Sequence, residues 1–222
     1  MSETLLKLTN FEFSYSPSPF LKIPSFELQK GETVFVEGPS GVGKTTWLEL
    51  LSGILSPLKG EYWLAGKRVD QLTAQQKDQL RLNDISLIFQ GHNLVPFLSV
   101  MENLLLPFWL GAPYPQSEAE TVKKATEFMQ RLGLSGLEKN KVSEISQGQA
   151  QRVAAIRSLL KKPKLLLADE PTSSLDFKTR DEFMSLLIEL CQIQQTSLIF
   201  VSHDVSLKKH FSRVVSLKDW RI

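Results

Sequence analysis

Thr33-Val34-Phe35-Val36-Glu37, running directly into Gly38-Pro39-Ser40-Gly41-Val42-Gly43-Lys44-Thr45-Thr46, is the stretch on which the fold turns. A short β-branched and aromatic run reads as a strand. The next residues fit G-x-x-x-x-G-K-[ST], and Lys44 to Leu55 reads as a helix closed near Gly53 and Pro57. Strand, glycine loop and helix in that order form a phosphate cradle. The glycines let backbone N–H groups wrap phosphate oxygens, the helix N-terminus favours the anion, Lys44 reaches the terminal phosphates and the Thr45 hydroxyl suits Mg²⁺. Phosphate contact is therefore expected from Gly38, Pro39, Ser40, Gly41, Val42, Gly43, Lys44, Thr45 and Thr46.

Leu165 to Asp169 and Ser197 to Val201 are further short, nearly continuous apolar runs, the pattern of strands buried on both faces of a parallel sheet. Each ends in polar residues, Asp169-Glu170 and Ser202-His203-Asp204. Ligands of open α/β sheets sit beyond the carboxyl ends of the strands, so these tails should meet the glycine loop. Asp169 suits a Mg²⁺ shell, and Glu170, aimed at the terminal phosphate, would polarise an attacking water. Ser117 to Leu132 and Gln147 to Lys162 read as helices, the second with Val153, Ile156, Leu159 and Leu160 on one face. Asn93 to Leu137 then forms a mainly helical insertion, broken at Gly111-Ala112-Pro113-Tyr114-Pro115.

The 222 residues are 42% hydrophobic and 23% charged with a formal charge of +2, which excludes a disordered, collagenous or disulfide-stapled chain. Lys and Arg are spread along the sequence, so no nucleic acid is expected as a partner. The lone Cys191 is expected to pack in a helix, and the N-terminus lacks the basic and apolar regions of a signal peptide. Ile85 to Met101 is uncharged, but Gln90, His92, Asn93 and Pro96 argue against a membrane span. A soluble protein with an apolar patch is expected.

Ile145-Ser146-Gln147-Gly148-Gln149-Ala150-Gln151-Arg152 resembles the signature motif of ATP-binding cassette (ABC) ATPases, usually LSGGQxQR. The likeness extends to Gln90 (Q-loop), Ser173-Ser174-Leu175-Asp176 (D-loop) and His203 (H-loop), in the family's order. It implies an α/β P-loop NTPase of ABC type, with a mainly parallel core sheet, an N-terminal antiparallel β part and a helical insertion. The whole of 1–222 would be one ATPase domain, with 1–92 and 138–222 as RecA-like core plus β subdomain and 93–137 as helical subdomain. It also implies ATP and Mg²⁺, the metal held by Thr45, Gln90 and Asp169. In the head-to-tail dimer of that family, Ser146, Gln147, Gly148 and Gln149 contact the nucleotide of the other subunit, and Asp176 links the two sites. Glu170 would be the base, Gln90 the γ-phosphate sensor, and His203 and Lys44 would hold the γ-phosphate. The adenine would stack on Tyr15, with Phe11 and Phe13 as alternatives on the same strand.

Two residues depart from the pattern. Gln147 stands where the family has its first signature glycine, and its side chain either crowds the phosphate or is tolerated with φ negative and the glutamine turned away. Trp220 replaces the glycine of the usual DGRI ending, beside Asp219, Arg221 and Ile222, and a surface place or terminal packing is expected of it. Phe89 to Pro96, Leu98 to Asn103 and Leu106-Pro107 are similar to the Q-loop region of the LolD, MacB and FtsE ATPases, the lipoprotein-releasing type foremost. This likeness implies an integral-membrane permease docking near Gln90 to Leu110, a second ATP-binding subunit, and a place on the cytoplasmic face of the inner membrane. LolD/MacB-like export or lipoprotein release leads. FtsE-like mechanotransmission and a soluble, non-transport ABC ATPase are the alternatives, and Glu170 and His203 argue against a cassette that binds ATP without turnover.

Overall fold

A computed structural model describes residues 3–15, 20–172, 175 and 177–220, with backbone only at 177 and 178. In chain order the elements are β1 (Thr4–Phe13), β2 (Leu21–Gln29), β3 (Thr33–Glu37), α1 (Lys44–Leu51), β4 (Lys59–Leu64), β5 (Lys67–Arg68), α2 (Ala74–Asn83), β6 (Ile85–Ile88), α3 (Val100–Trp109), α4 (Glu118–Arg131), α5 (Gln147–Leu160), β7 (Leu165–Asp169), α6 (Phe177–Gln194), β8 (Ser197–Ser202) and β9 (Arg213–Ser216). Four strands form an antiparallel sheet in the order β2-β1-β4-β5, and five form a second sheet in the order β6-β7-β8-β3-β9. Every pairing in the second sheet is parallel.

The continuous apolar runs have a direct structural cause. Side chains alternate across a strand, so a sheet covered on both faces needs an apolar residue at every position. Phe35, Leu166, Ala168, Leu198 and Phe200 point into one core with side chains of α3 to α6. Val34, Val36, Leu165, Leu167, Ile199 and Val201 point into the other, which they share with α1 and the antiparallel sheet. The parallel sheet is thus the middle layer between helices and a β layer. Its register pairs Glu37 with Ser202 and Asp169 with Val201, so β3, β7 and β8 end side by side. Gly38, Glu170 and His203, the next residues of each, leave the sheet at one edge.

Helix α1 ends at Leu51, short of the expected Leu55, because the chain turns through Ser52 and the positive-φ Gly53. Helix α5 ends at Leu160 rather than Lys162, where Lys162 itself adopts a positive φ. Strand β6 ends at Ile88, one residue before Phe89. Cys191 is buried on α6, and burial pushes its thiol up to about 12. Among the described residues no helix is long and apolar enough to cross a membrane. Trp220 packs its ring 5.6 Å from Phe26 and 5.5 Å from Trp47, so the indole closes the second core where the usual pattern has glycine. Arg221 and Ile222 lie outside the described residues. Trp220→Ala should therefore lower the unfolding free energy by roughly 2 kcal/mol, read as a reduced urea midpoint at unchanged m-value.

Candidate functional site

The loop from Gly38 to Gly43 leaves β3 and opens α1, and its glycines answer to two constraints. Gly41 and Gly43 have φ of 76° and 105°, the left-handed region that L side chains avoid. A Cβ on Gly43 would also lie 2.7 Å from the ring of Phe20, and one on Gly38 would lie 2.5 Å from Cγ1 of Val42. Val42 itself is buried in the core, leaving only its backbone for a ligand. Helices α2, α3, α4 and α5 each begin with a capping box, on Thr73, Ser99, Ser117 and Ser146. Helix α1 begins on Gly43 with no side-chain cap and no acidic residue in its first turn. Its free N–H groups and helix dipole are left to attract an anion.

Lys44 is almost buried. Its Nζ donates to the carbonyl oxygens of Gly38 at 2.8 Å and Pro39 at 3.3 Å, and lies 3.0 Å from Oε1 of Glu170. The other oxygen of Glu170 is 2.8 Å from Nδ1 of His203. Glu170 follows β7 with φ of 45°, a conformation costing about 1–2 kcal/mol for a non-glycine residue. Its backbone N–H donates to Val201 on β8 at 3.0 Å, which holds the turn in place. That bend sends the carboxylate across the sheet end to Lys44 and His203. Thr45 donates its hydroxyl proton to Oδ2 of Asp169 at 2.8 Å. Burial, together with neighbouring Glu170, raises the Asp169 pKa against the opposing Thr45 hydrogen bond and Lys44 charge.

These groups line one open cleft of about 510 Å³, formed by Phe20, Ser40, Gly41, Gly43, Lys44, Thr45, Thr46, Gln90, Asp169, Glu170 and His203. Gly38 and Pro39 lie beside it, in a smaller hollow that also meets His203. Tyr15 is 64% exposed, its hydroxyl 2.9 Å from Oγ1 of Thr46 and its ring edge-on to Phe20 at 5.7 Å. Phe11 and Phe13 are buried, so of the three candidate aromatics only Tyr15 offers a face to a base. The sequence reading missed Phe20, which lines the cleft and fills the space a side chain at position 43 would need.

Ser146, Gln147, Gly148 and Gln149 do not line this cleft. They form the start of α5, where Gln149 N–H donates to Oγ of Ser146 at 3.2 Å and Ser146 N–H donates to Oε1 of Gln149 at 2.9 Å. Gln147 is the first helical residue, exposed and outside the left-handed region, so its side chain adds no backbone strain. A Cβ on Gly148 would lie 3.1 Å from the Leu175 side chain, which gives this glycine a packing reason of its own. Ser173, Ser174 and Asp176 lie outside the described residues.

The profile of the ABC transporter family matches residues 21–173. Among solved structures, the ATP-binding cassette MJ0796, in a dimeric post-hydrolysis state bound to ADP and Pi, is 32% identical with a TM-score of 0.85. The match covers 97% of this chain and 95% of that one. A second dimeric structure of MJ0796, described as a bacterial ABC transporter cassette, gives the same values. CbiO1 from Clostridium perfringens, part of the ABC transporter complex CbiONQ, is 26% identical with a TM-score of 0.84, over 96% of this chain and 84% of its own. Lys44→Ala should abolish tight MgATP binding, and Gly43→Ala should weaken it at least about tenfold through the clash with Phe20 and the positive φ. Titration calorimetry with MgATP on both variants checks this.

Proposed function

The chain belongs to the ABC transporter family, and on that premise we propose that it is the nucleotide-binding subunit of a transport complex, an ATPase whose turnover drives a membrane permease. The observation that carries the reading is Glu170, held between Lys44 and His203 at the mouth of the phosphate loop. Phosphate oxygens of ATP take N–H groups of the loop and of the first turn of α1, and Lys44 exchanges its hold on Glu170 for them. Glu170, released, orients a water in line with the γ-phosphorus and accepts its proton as the oxygen–phosphorus bond forms and ADP departs. His203 and Gln90 hold the γ-phosphate. The oxygen donors of Thr45 and Asp169, already paired at 2.8 Å, suit a hard cation, and Gln90 faces the same cleft. Mg²⁺ bound there supplies charge neutralisation on the phosphates. Tyr15 stacks on the adenine.

The second half of the site comes from another copy. Ser146, Gln147, Gly148 and Gln149 stand exposed or half-exposed at the start of α5, away from their own cleft. The MJ0796 cassettes are dimeric, which supports a dimer here; in the head-to-tail homodimer of this reading these residues meet the partner's nucleotide, with Asp176 between the sites. We read 93–137 as a helical subdomain against a RecA-like core and β subdomain. Between α2, α3 and α5 lies a groove of about 550 Å³ with Leu82, Leu106, Pro107 and Leu110 on its wall. Trp109 and Leu110 are exposed beside it. Apolar surface of this kind, reaching the Gln90 loop at Asn93, is what a short segment of a permease would cover. The Phe89–Pro107 sequence favours the LolD/MacB group, on the cytoplasmic face of the inner membrane, with export or lipoprotein release as its work. FtsE-like force transmission without transport is the second reading, favoured by the same segment.

Glu170→Gln should bind MgATP, lose turnover about 10²–10⁴-fold and accumulate an ATP-bound dimer on size-exclusion chromatography. Retained hydrolysis would remove Glu170 from the base role. The same variant, pulled from its native cells in mild detergent with MgATP, should bring down a permease with few spans and a large extracytoplasmic domain. Recovery of ribosomal or DNA-repair proteins instead would overturn the transporter reading and leave the ATPase chemistry standing. Gln147→Gly should leave ATPase activity unchanged or raised, since Gln147 is exposed and unstrained.

A further inference from the structure

Gln90 sits on the loop that joins β6 to α3, and this loop is held in an unusual shape. His92 and Asn93 are consecutive non-glycine residues with φ of 62° and 50°. Such a pair does not persist unless its surroundings over-determine it. The loop's own backbone bonds, His92 N–H to the Phe89 carbonyl at 3.0 Å and Asn93 N–H to the Gly91 carbonyl at 2.7 Å, supply part of this, and α5 supplies the rest. Arg157 donates from Nη1 to the carbonyl of Asn93 at 2.8 Å and from Nη2 to the carbonyl of His92 at 2.9 Å. One planar guanidinium thus spans the two strained peptides in a fork that a lysine cannot reproduce. Its neighbour Ser158 donates to the carbonyl of Leu87 on β6 at 3.2 Å, fixing the strand that enters the loop. The loop's far end is tied separately, by the buried Asn103 of α3, which accepts from Val95 N–H at 2.8 Å and donates to Val95 carbonyl at 3.0 Å. Gln90 therefore stands in the chain between the end of β6 and the peptides held by the Arg157 fork.

We propose that Arg157 is a positioning residue for Gln90: its fork on His92 and Asn93 fixes the loop so that Gln90 faces the cleft that holds Lys44, Thr45 and Glu170. Arg157 also lines the groove between α2, α3 and α5, so one side chain touches both that groove and the Gln90 loop. The inference rests on the ATPase reading above, and two separate readouts keep their failures apart.

The first readout is hydrogen exchange of the 90–95 amides in the nucleotide-free protein, compared between parent and Arg157→Ala. Exchange there should quicken about tenfold while amides of β7 and β8 are unchanged. Equal rates overturn the proposal whatever the enzyme does. The second is a steady-state cycle on parent, Gln90→Ala, Arg157→Ala and the double variant. Arg157→Ala should lower kcat about tenfold with KM for ATP changed less than about twofold, and in the Gln90→Ala background it should change kcat less than about twofold. Arg157→Lys should fall between parent and Arg157→Ala. Losses that multiply independently in the double variant would mean a general structural role and would overturn the proposal. Should Arg157→Ala fail to fold, Arg157→Lys takes its place in both measurements. Absence of turnover in the parent overturns the ATPase reading instead, and the exchange rates still decide whether Arg157 holds the loop.

Discussion

The ion pair between Lys44 and Glu170 is the interaction around which the rest of the site is arranged. A nearly buried ammonium needs an anion, since leaving it unpaired in low dielectric costs several kcal/mol. In the structure Glu170 and two loop carbonyls meet that need. A polyphosphate entering the loop offers the same lysine a stronger partner, so binding exchanges one counter-charge for another and does not expose a bare one. On the proposed reading, the carboxylate that gives way is the one that serves as base. On that reading, binding and arming are a single electrostatic event, and both need β3, β7 and β8 to end in register, as they do.

That register is a consequence of burial on both faces. Each of the three strands is short and apolar at nearly every position, and a slip would push Asp169 or Glu37 into one of the two cores. The first polar residue of each tail is thus delivered to the same edge by the hydrophobic effect acting on residues that never touch a ligand.

Local patterns made much of this legible in the sequence. The strands β3, β7 and β8, the glycine loop and the helices α4 and α5 are all signalled by residues adjacent in the chain. The ends of α1 and α5 came out shorter than expected because Gly53 and Lys162 turn the chain through positive φ, which is obvious in advance only for glycine. The bend at Glu170 is invisible for the same reason: a glutamate gives no local sign of a left-handed backbone, and only the bond to Val201 explains it. Phe20 and Arg157 act over long sequence separations, Phe20 on Gly43 and Arg157 on the carbonyls of His92 and Asn93. Phe20 follows a proline-rich stretch and Arg157 lies on a helix face, and nothing in either neighbourhood announces the partner. For tryptophan at position 220 the sequence leaves surface and terminal packing open, and its seat against Phe26 and Trp47 decides for packing.

That aromatic seat gives the protein an optical handle of its own. Trp47 lies on the helix that opens with Lys44, is fully buried, and has Trp220 as a close neighbour. The other two tryptophans, Trp63 and Trp109, are exposed. A water-soluble quencher such as iodide will silence the exposed pair first, leaving blue-shifted emission dominated by indoles packed under α1. Any strain passed from the phosphate loop into that helix would register as a change in this residual light, without a dye or an added label.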